Sequence, residues 1–207
     1  MNPKTATSYP IARTSALFIA IVLISTSAIM GRIPLFLILN HDFGSIADTI
    51  LLGCTYLAEG WIWIPYIVVV GWYFKKDKAI ILYSFAISTL LTQVPKQVFF
   101  PTITRPIASG IDPQLIHTVK GVAMHQLNSF PSGHTATAFS IFLLTIYLFD
   151  NKKMMLIGLL YAMLCAYSRV YLGQHFPLDL GGGIIVAILT VEISKRIRKN
   201  KQDVKEI

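Results

Sequence analysis

Residues 154–194 read MMLIGLLYAMLCAYSRVYLGQHFPLDLGGGIIVAILTVEIS. Two apolar runs, 154–172 and 178–194, each approach the roughly 20 residues that a helix needs to cross a bilayer, and a short connection parts them. Pro177 suits a first helical turn and marks where the second run begins. Around that connection the chain packs a cation, an imidazole and a carboxylate: Arg169, His175 and Asp179. The segment therefore reads as a hairpin of two spanning helices with chemistry gathered at its turn.

Working outward, four further apolar runs lie near 15–38, 56–74, 79–94 and 132–149, which makes six in all. The 207 residues are 54% hydrophobic and 14% charged, with mean hydropathy +0.61. That is too apolar for an ordinary soluble domain, and the strict alternation of a β-barrel strand is missing. The expected fold is all-α, a polytopic membrane helix bundle with six transmembrane helices. It forms one domain, 1–207, with a motif-bearing core at 96–179 and a basic tail at 195–207. The first run continues past any small-residue cleavage site and is kept as a span rather than a secretory signal. Cys54 and Cys165 fall inside apolar runs, without the spacing of a disulfide framework or a metal site.

Net charge +8 suggests nucleic acid only if the cations share one soluble face, and here they are dispersed among apolar runs. With six spans, 13 of the 18 basic residues fall on one side: Lys4, Arg13, Lys75, Lys76, Lys78, Lys152, Lys153, Lys195, Arg196, Arg198, Lys199, Lys201 and Lys205. The positive-inside bias makes that side cytoplasmic, with both termini, as in a bacterial inner membrane. Arg32, Lys96, Arg105, Lys120 and Arg169 break the bias and call for another explanation. The loops around 96–130 and 173–178 both emerge on the outward face, so one site can form there.

The second chemical stretch is Ser129-Phe130-Pro131-Ser132-Gly133-His134, where the outward loop meets the fourth span. Ser129 reads as an N-cap and Pro131 as a first-turn residue. A helix start offers free N–H groups and the positive end of the dipole, so phosphate can approach Ser132 and Gly133. His134, one residue on, is placed to give a proton to a departing oxygen. Asp179 can hold one nitrogen of His175 and leave the other aimed at phosphorus. Arg169 carries a planar fork of donors suited to phosphate, and Lys96 and Arg105 bring the cations to three. Cations so arranged stabilise phosphoryl transfer without a metal, so no metal and no cofactor are expected.

Other features have two readings each. Glu59 is an ionisable residue in or beside the second span, functional by default, or else interfacial. Arg32 either marks the outer membrane edge or leans toward substrate. His117, Lys120 and His125 contact a head group or keep their loop solvated. Gly181-Gly182-Gly183 suits close helix packing rather than a nucleotide loop. Trp61, Trp63, Trp72, Tyr73 and Phe74 read as an interfacial belt.

Taken in order, Lys96 with Arg105-Pro106, then Pro131-Ser132-Gly133-His134, then Ser168-Arg169 with His175 and Asp179, resemble the motifs of the type 2 phosphatidate phosphatase superfamily. These membrane phosphatases share their active site with vanadium haloperoxidases. The eight residues between Lys96 and Arg105 exceed that family's commonest spacing, so a local bulge at 99–102 is expected to absorb the excess. The resemblance implies that His175 attacks phosphorus to give a phosphohistidine, Asp179 orients it, and His134 protonates the leaving group and then activates water. It assigns Lys96, Arg105, Ser132, Gly133 and Arg169 to phosphate. The expected activity is metal-independent hydrolysis of a lipid phosphate or diphosphate at the outward face. Polyprenyl diphosphate, phosphatidylglycerol phosphate, phosphatidate and lipid A phosphate are the substrate classes in view, and the bilayer is the partner. A lipid phosphotransferase using the same site and a non-catalytic anionic-lipid transporter are the alternatives; oligomeric state is left open.

Overall fold

A computed structural model describes residues 7–74 and 78–203. Eight α-helices occupy them: α1 Ser8–Met30, α2 Arg32–Leu39, α3 Ser45–Tyr56, α4 Trp63–Tyr73, α5 Lys78–Val94, α6 Gly133–Phe149, α7 Lys152–Tyr171 and α8 Pro177–Asp203. Among the described residues there is no strand, as the apolar periodicity requires. By length and composition four helices can cross a membrane: α1, α5 with the turn that extends it to Phe99, α7 and α8. The pair formed by α3 and the segment Gly60–Tyr73, bent by 57°, qualifies only as a unit and would make five. At 17 residues α6 is apolar but shorter than these. Of the basic residues used for topology, Lys4, Lys75, Lys76 and Lys205 lie outside the described residues.

Two expected runs are broken by local chemistry. The run 15–38 is two helices that meet at Gly31, whose φ of +85° ends α1. The run 56–74 is not one helix: its α-helical part is Trp63–Tyr73, and the preceding α3, which carries Cys54 ahead of that run, meets it only at Tyr56. Ser45, Asp48, Thr49 and Thr55 hold the hydropathy of α3 down, yet it packs along α7.

At the centre stand α6 and α8. The latter contacts α1, α5 and α6, while α6 also touches α5 and α7. From α1 come Ala12, Ala16 and Ala20, one turn apart and fully buried, and small residues so spaced let helix backbones approach closely. The glycine triplet of α8 serves that same packing. A Cβ at Gly181 would meet Ile24 of α1 at 2.7 Å, and one at Gly183 would meet the Ser132 carbonyl at 2.6 Å. Gly182 faces the Phe130 ring. Three consecutive hydrogens thus admit α1, the loop before α6 and the start of α6 to one short stretch.

Polar ties mark the two ends of the bundle. At one end the Ser8 N–H donates to Asp150 at 2.9 Å and the Tyr9 hydroxyl donates to Glu192 at 2.8 Å. The starts of α6 and α8 and the finish of α7 lie at the other, so both sequence motifs share one end.

Candidate active site

Ser132, not Ser129, caps α6. Its φ/ψ of −70°/115° are extended, and its Oγ accepts from the Thr135 N–H at 3.4 Å and the Thr135 hydroxyl at 3.0 Å. Pro131 consequently lies before the helix, joined to Phe130 by a cis peptide bond. The capping turn is fixed to α8 because the Ser132 N–H donates to the Asp179 carbonyl at 2.9 Å. Gly133 and His134 occupy the first turn, where unsatisfied N–H groups and the dipole favour an anion.

Freed from the cap, Ser129 does something that local sequence does not reveal. Fully buried, it donates from Oγ to Asp179 Oδ2 at 2.5 Å and lies 3.5 Å from His175 Nδ1. The same carboxylate oxygen accepts the Phe176 N–H at 2.9 Å. That is the backward reach of an acidic residue in a first helical turn. His175 Nδ1 stands 3.3 Å from it. Since a carboxylate only accepts, Nδ1 carries the proton and Nε2 keeps its lone pair. Burial first, then the charges of Arg105, Lys96, Arg169 and His134, holds the His175 imidazole well below its ordinary value, so the ring is neutral.

The turn that presents His175 is held by its own backbone. The N–H groups of Gln174 and His175 both donate to the Arg169 carbonyl, at 2.9 and 3.0 Å. Gly173 adopts φ +66°, and a Cβ there would press on Ile116 and Met124 at 3.2 Å.

Three cations converge from separate elements. Arg169, 6% exposed, closes α7 and donates through Nη1 to Thr55 Oγ1 of α3, while its buried Nε has no partner. Arg105, 8% exposed, is gripped along its length: Nε donates to the Leu127 carbonyl at 3.0 Å, and Nη1 reaches the carbonyl and side-chain oxygens of Gln174, both at 3.2 Å. Burial draws its guanidinium down from the ordinary value, and Asp179 partly offsets this. Lys96 sits on a π-helical turn, Pro95–Phe99, at the end of α5. This turn, one position wider than α-helix, meets the bulge expected at 99–102 only at Phe99. With its amide oriented to donate, Asn128 pins the turn through the Lys96 and Pro101 carbonyls at 3.0 and 2.9 Å.

Among the described residues none of the three cations has a carboxylate within 4.0 Å. An uncompensated buried charge typically costs about 3–5 kcal/mol. An anion entering beside Arg105 and Arg169 would offset that cost.

These groups open onto one cavity of about 440 Å³. Lys96, Arg105, Gly133, His134, Arg169 and His175 line it. Ser132 and Asp179 stand one layer behind, fully buried, and orient those that do. Its remaining wall comes from the α3–α4 bend, from Phe85, Ser88, Thr89, Thr92 and Gln93 of α5, from Thr137 of α6 and from His125 of the loop before α6. Trp63 belongs to that wall at 2% exposure and so leaves the interfacial belt, whereas Trp72 and Tyr73 stay 76% and 74% exposed.

Sequence reading missed Thr55 and Gln174, which hold the two arginines, and it gave Ser129 the wrong task. Of the ambiguous residues, Glu59 precedes the 3-10 turn of the α3–α4 bend. Arg32 stacks on Phe176 at 4.8 Å and donates to Thr104 at 3.4 Å, away from the cavity wall. His117 pairs with Asp48 at 3.1 Å, and Lys120 is exposed.

Comparison with known proteins agrees with this geometry. An undecaprenyl-diphosphatase of Sulfolobus acidocaldarius is 29% identical over 183 residues, covering 84% of each chain. The crystal structure of Aquifex aeolicus LpxE superposes with TM-score 0.69 at 26% identity, over 80% of this chain and 94% of that one. A transmembrane PAP2 type phosphatidylglycerolphosphate phosphatase from Bacillus subtilis shares the fold, with TM-score 0.66 at 22% identity over 91% and 96% of the two chains. The family model described as PAP2 superfamily matches residues 77–203, which hold every motif residue of the site, and the chain belongs to that superfamily.

Proposed function

We propose that this chain is a membrane phosphatase that removes phosphate from a lipid phosphate or diphosphate through a phosphohistidine on His175. The observation that carries the reading is a set of three cations, Arg105 and Arg169 buried and Lys96 half-buried, with no carboxylate within 4.0 Å among the described residues, facing a neutral histidine that Asp179 and Ser129 hold in register. Polyprenyl diphosphate, phosphatidylglycerol phosphate, phosphatidate and lipid A phosphate fit this chemistry, and the names of the relatives support all of these but phosphatidate.

Phosphate docks against Lys96, Arg105, Arg169 and the first-turn N–H groups of α6. Nε2 of His175 attacks phosphorus, the bond from phosphorus to the lipid oxygen breaks, and His134 gives that oxygen a proton. Water, giving a proton to His134, then attacks phosphorus, the bond from phosphorus to Nε2 of His175 breaks, and phosphate leaves. The three cations supply the charge stabilisation that the spreading negative charge demands, so turnover is expected in chelator. In the bilayer, α1, the α3–α4 pair, α5, α6, α7 and α8 make six crossings, with both termini cytoplasmic and the site outward, as the basic residues require.

The test is phosphate release from a lipid phosphate by purified protein in chelator, alongside His175→Ala and His134→Ala, with trapping and mapping of the labelled phosphoenzyme. Label on His175 and loss of turnover in both variants is the expected result. Wild-type turnover in either variant refutes the mechanism.

A further inference from the structure

One ring on the cavity wall has no task in this mechanism. His125 lies in the outward loop, exposed to solvent, yet it lines the cavity that holds the three cations, His134 and His175. Its backbone is fixed on both sides. Ahead of it, Gln174 Nε2 donates to the Ala123 carbonyl at 3.1 Å and contacts Met124 Sδ at 3.2 Å. Behind it, the Arg105 N–H donates to the Gln126 carbonyl at 2.8 Å and Arg105 Nε to the Leu127 carbonyl at 3.0 Å. Two residues of the site thus bolt down the segment around His125, while its own imidazole makes no hydrogen bond among the described residues.

Charge shows what such a ring adds. Lys96, Arg105, Arg169 and the proton that His134 gives bring four positive charges, and Asp179 with Glu59 two negative, which leaves two, and one phosphoryl dianion balances these. A second phosphoryl group would overdraw the balance unless a further donor stood on the leaving-group side. His125, exposed to solvent and on the cavity wall, is the one further imidazole there that the mechanism leaves without a task. Burial, then the charges of Arg105, Arg169 and Lys96, lowers its proton affinity. An anion that neutralises those three lifts that bias and favours the imidazolium.

Resting on the phosphatase reading, we infer that His125 is a specificity-determining residue: it binds the second, lipid-proximal phosphoryl group of a lipid diphosphate while the terminal one lies in the cationic cradle. In that geometry the bond from the terminal phosphorus to the bridging oxygen breaks, and the lipid monophosphate departs past His125.

The experiment compares kcat/KM for farnesyl diphosphate and farnesyl monophosphate in detergent, for wild-type protein, His125→Ala and His125→Lys. In His125→Ala the ratio of diphosphate to monophosphate turnover should fall about 10-fold or more, the worth of a charge-assisted hydrogen bond. His125→Lys should restore it. An unchanged ratio in His125→Ala, whether both activities persist or both fall together, overturns the inference. Wild-type turnover of the monophosphate alone also overturns it and leaves the phosphatase reading standing. Turnover of neither lipid phosphate by wild-type protein refutes that reading, and this one with it.

Discussion

The Ser129 hydroxyl donates to Asp179 Oδ2 at 2.5 Å across 50 positions of sequence. It joins the loop before α6 to the first turn of α8, and it is the shortest polar link behind His175 in the site. Ser129→Ala leaves the buried carboxylate one donor short. Hydrogen bonds to charged groups contribute about 1.5–3 kcal/mol, so kcat should fall roughly 10- to 100-fold with little change in KM. Steady-state kinetics on a lipid phosphate checks this, and a rise confined to KM would contradict it.

Thr55 plays the corresponding part for Arg169. Thr55→Val keeps the shape and removes the acceptor for Nη1, which frees the guanidinium to turn away from phosphate. About a 10-fold loss in kcat/KM is expected, whereas Thr55→Ser should stay near wild type. Equal losses in the two variants would point to packing instead.

Inorganic phosphate should raise the melting temperature of the detergent-solubilised protein, because it binds the folded site and not the unfolded chain. Arg169→Gln, which takes away a cation with an unpartnered buried Nε, should abolish most of that shift. Thermal unfolding with and without phosphate reads it directly.

Acid should destabilise the fold through His175. Its folded proton affinity lies well below the ordinary value of about 6.5. Below that pH the unfolded chain takes up a proton that the folded chain does not. Stability therefore falls as pH drops through about 6.5, by about 1.4 kcal/mol per pH unit, and is unaffected by this group above it. Melting curves at pH 8, 6.5 and 5 should show the fall in wild-type protein and a shallower one in His175→Asn.

Gly183→Ala sets a methyl against the Ser132 carbonyl and Thr135 Cβ, at 2.6 and 2.9 Å before relaxation. Overpacking of this kind costs about 1–3 kcal/mol. A lower melting temperature together with lower kcat is expected, because the displaced backbone is the capping turn of α6.

How much of this was legible in the sequence follows from where each signal resides. His134, Arg169, His175 and Asp179 stand out because ionisable groups are costly in apolar runs, and α7 and the start of α8 follow from hydropathy and Pro177; α8 runs on to Asp203 through the basic stretch expected to be a tail, where hydropathy carries no signal. The break at Gly31 and the whole of α3 were hidden. A mean over many residues cannot register one change of φ, and the polar face of α3 dilutes its apolar one. Thr55 lies 114 positions from the guanidinium it holds, so nothing near either residue betrays the pair. Ser129 and Ser132 present the same chemistry three positions apart, and only the helix start decides which of them caps.

The π turn at Pro95–Phe99 bears on how such sites are to be searched for in genomes. One widened turn shifts register at the end of α5 while Asn128 and Gly133 keep Lys96 beside the cradle: a Cβ on Gly133 would lie 4.0 Å from Lys96 Nζ. A pattern with a rigid gap between lysine and arginine would discard this chain. One that allows the gap to vary and requires only the later motifs would keep it.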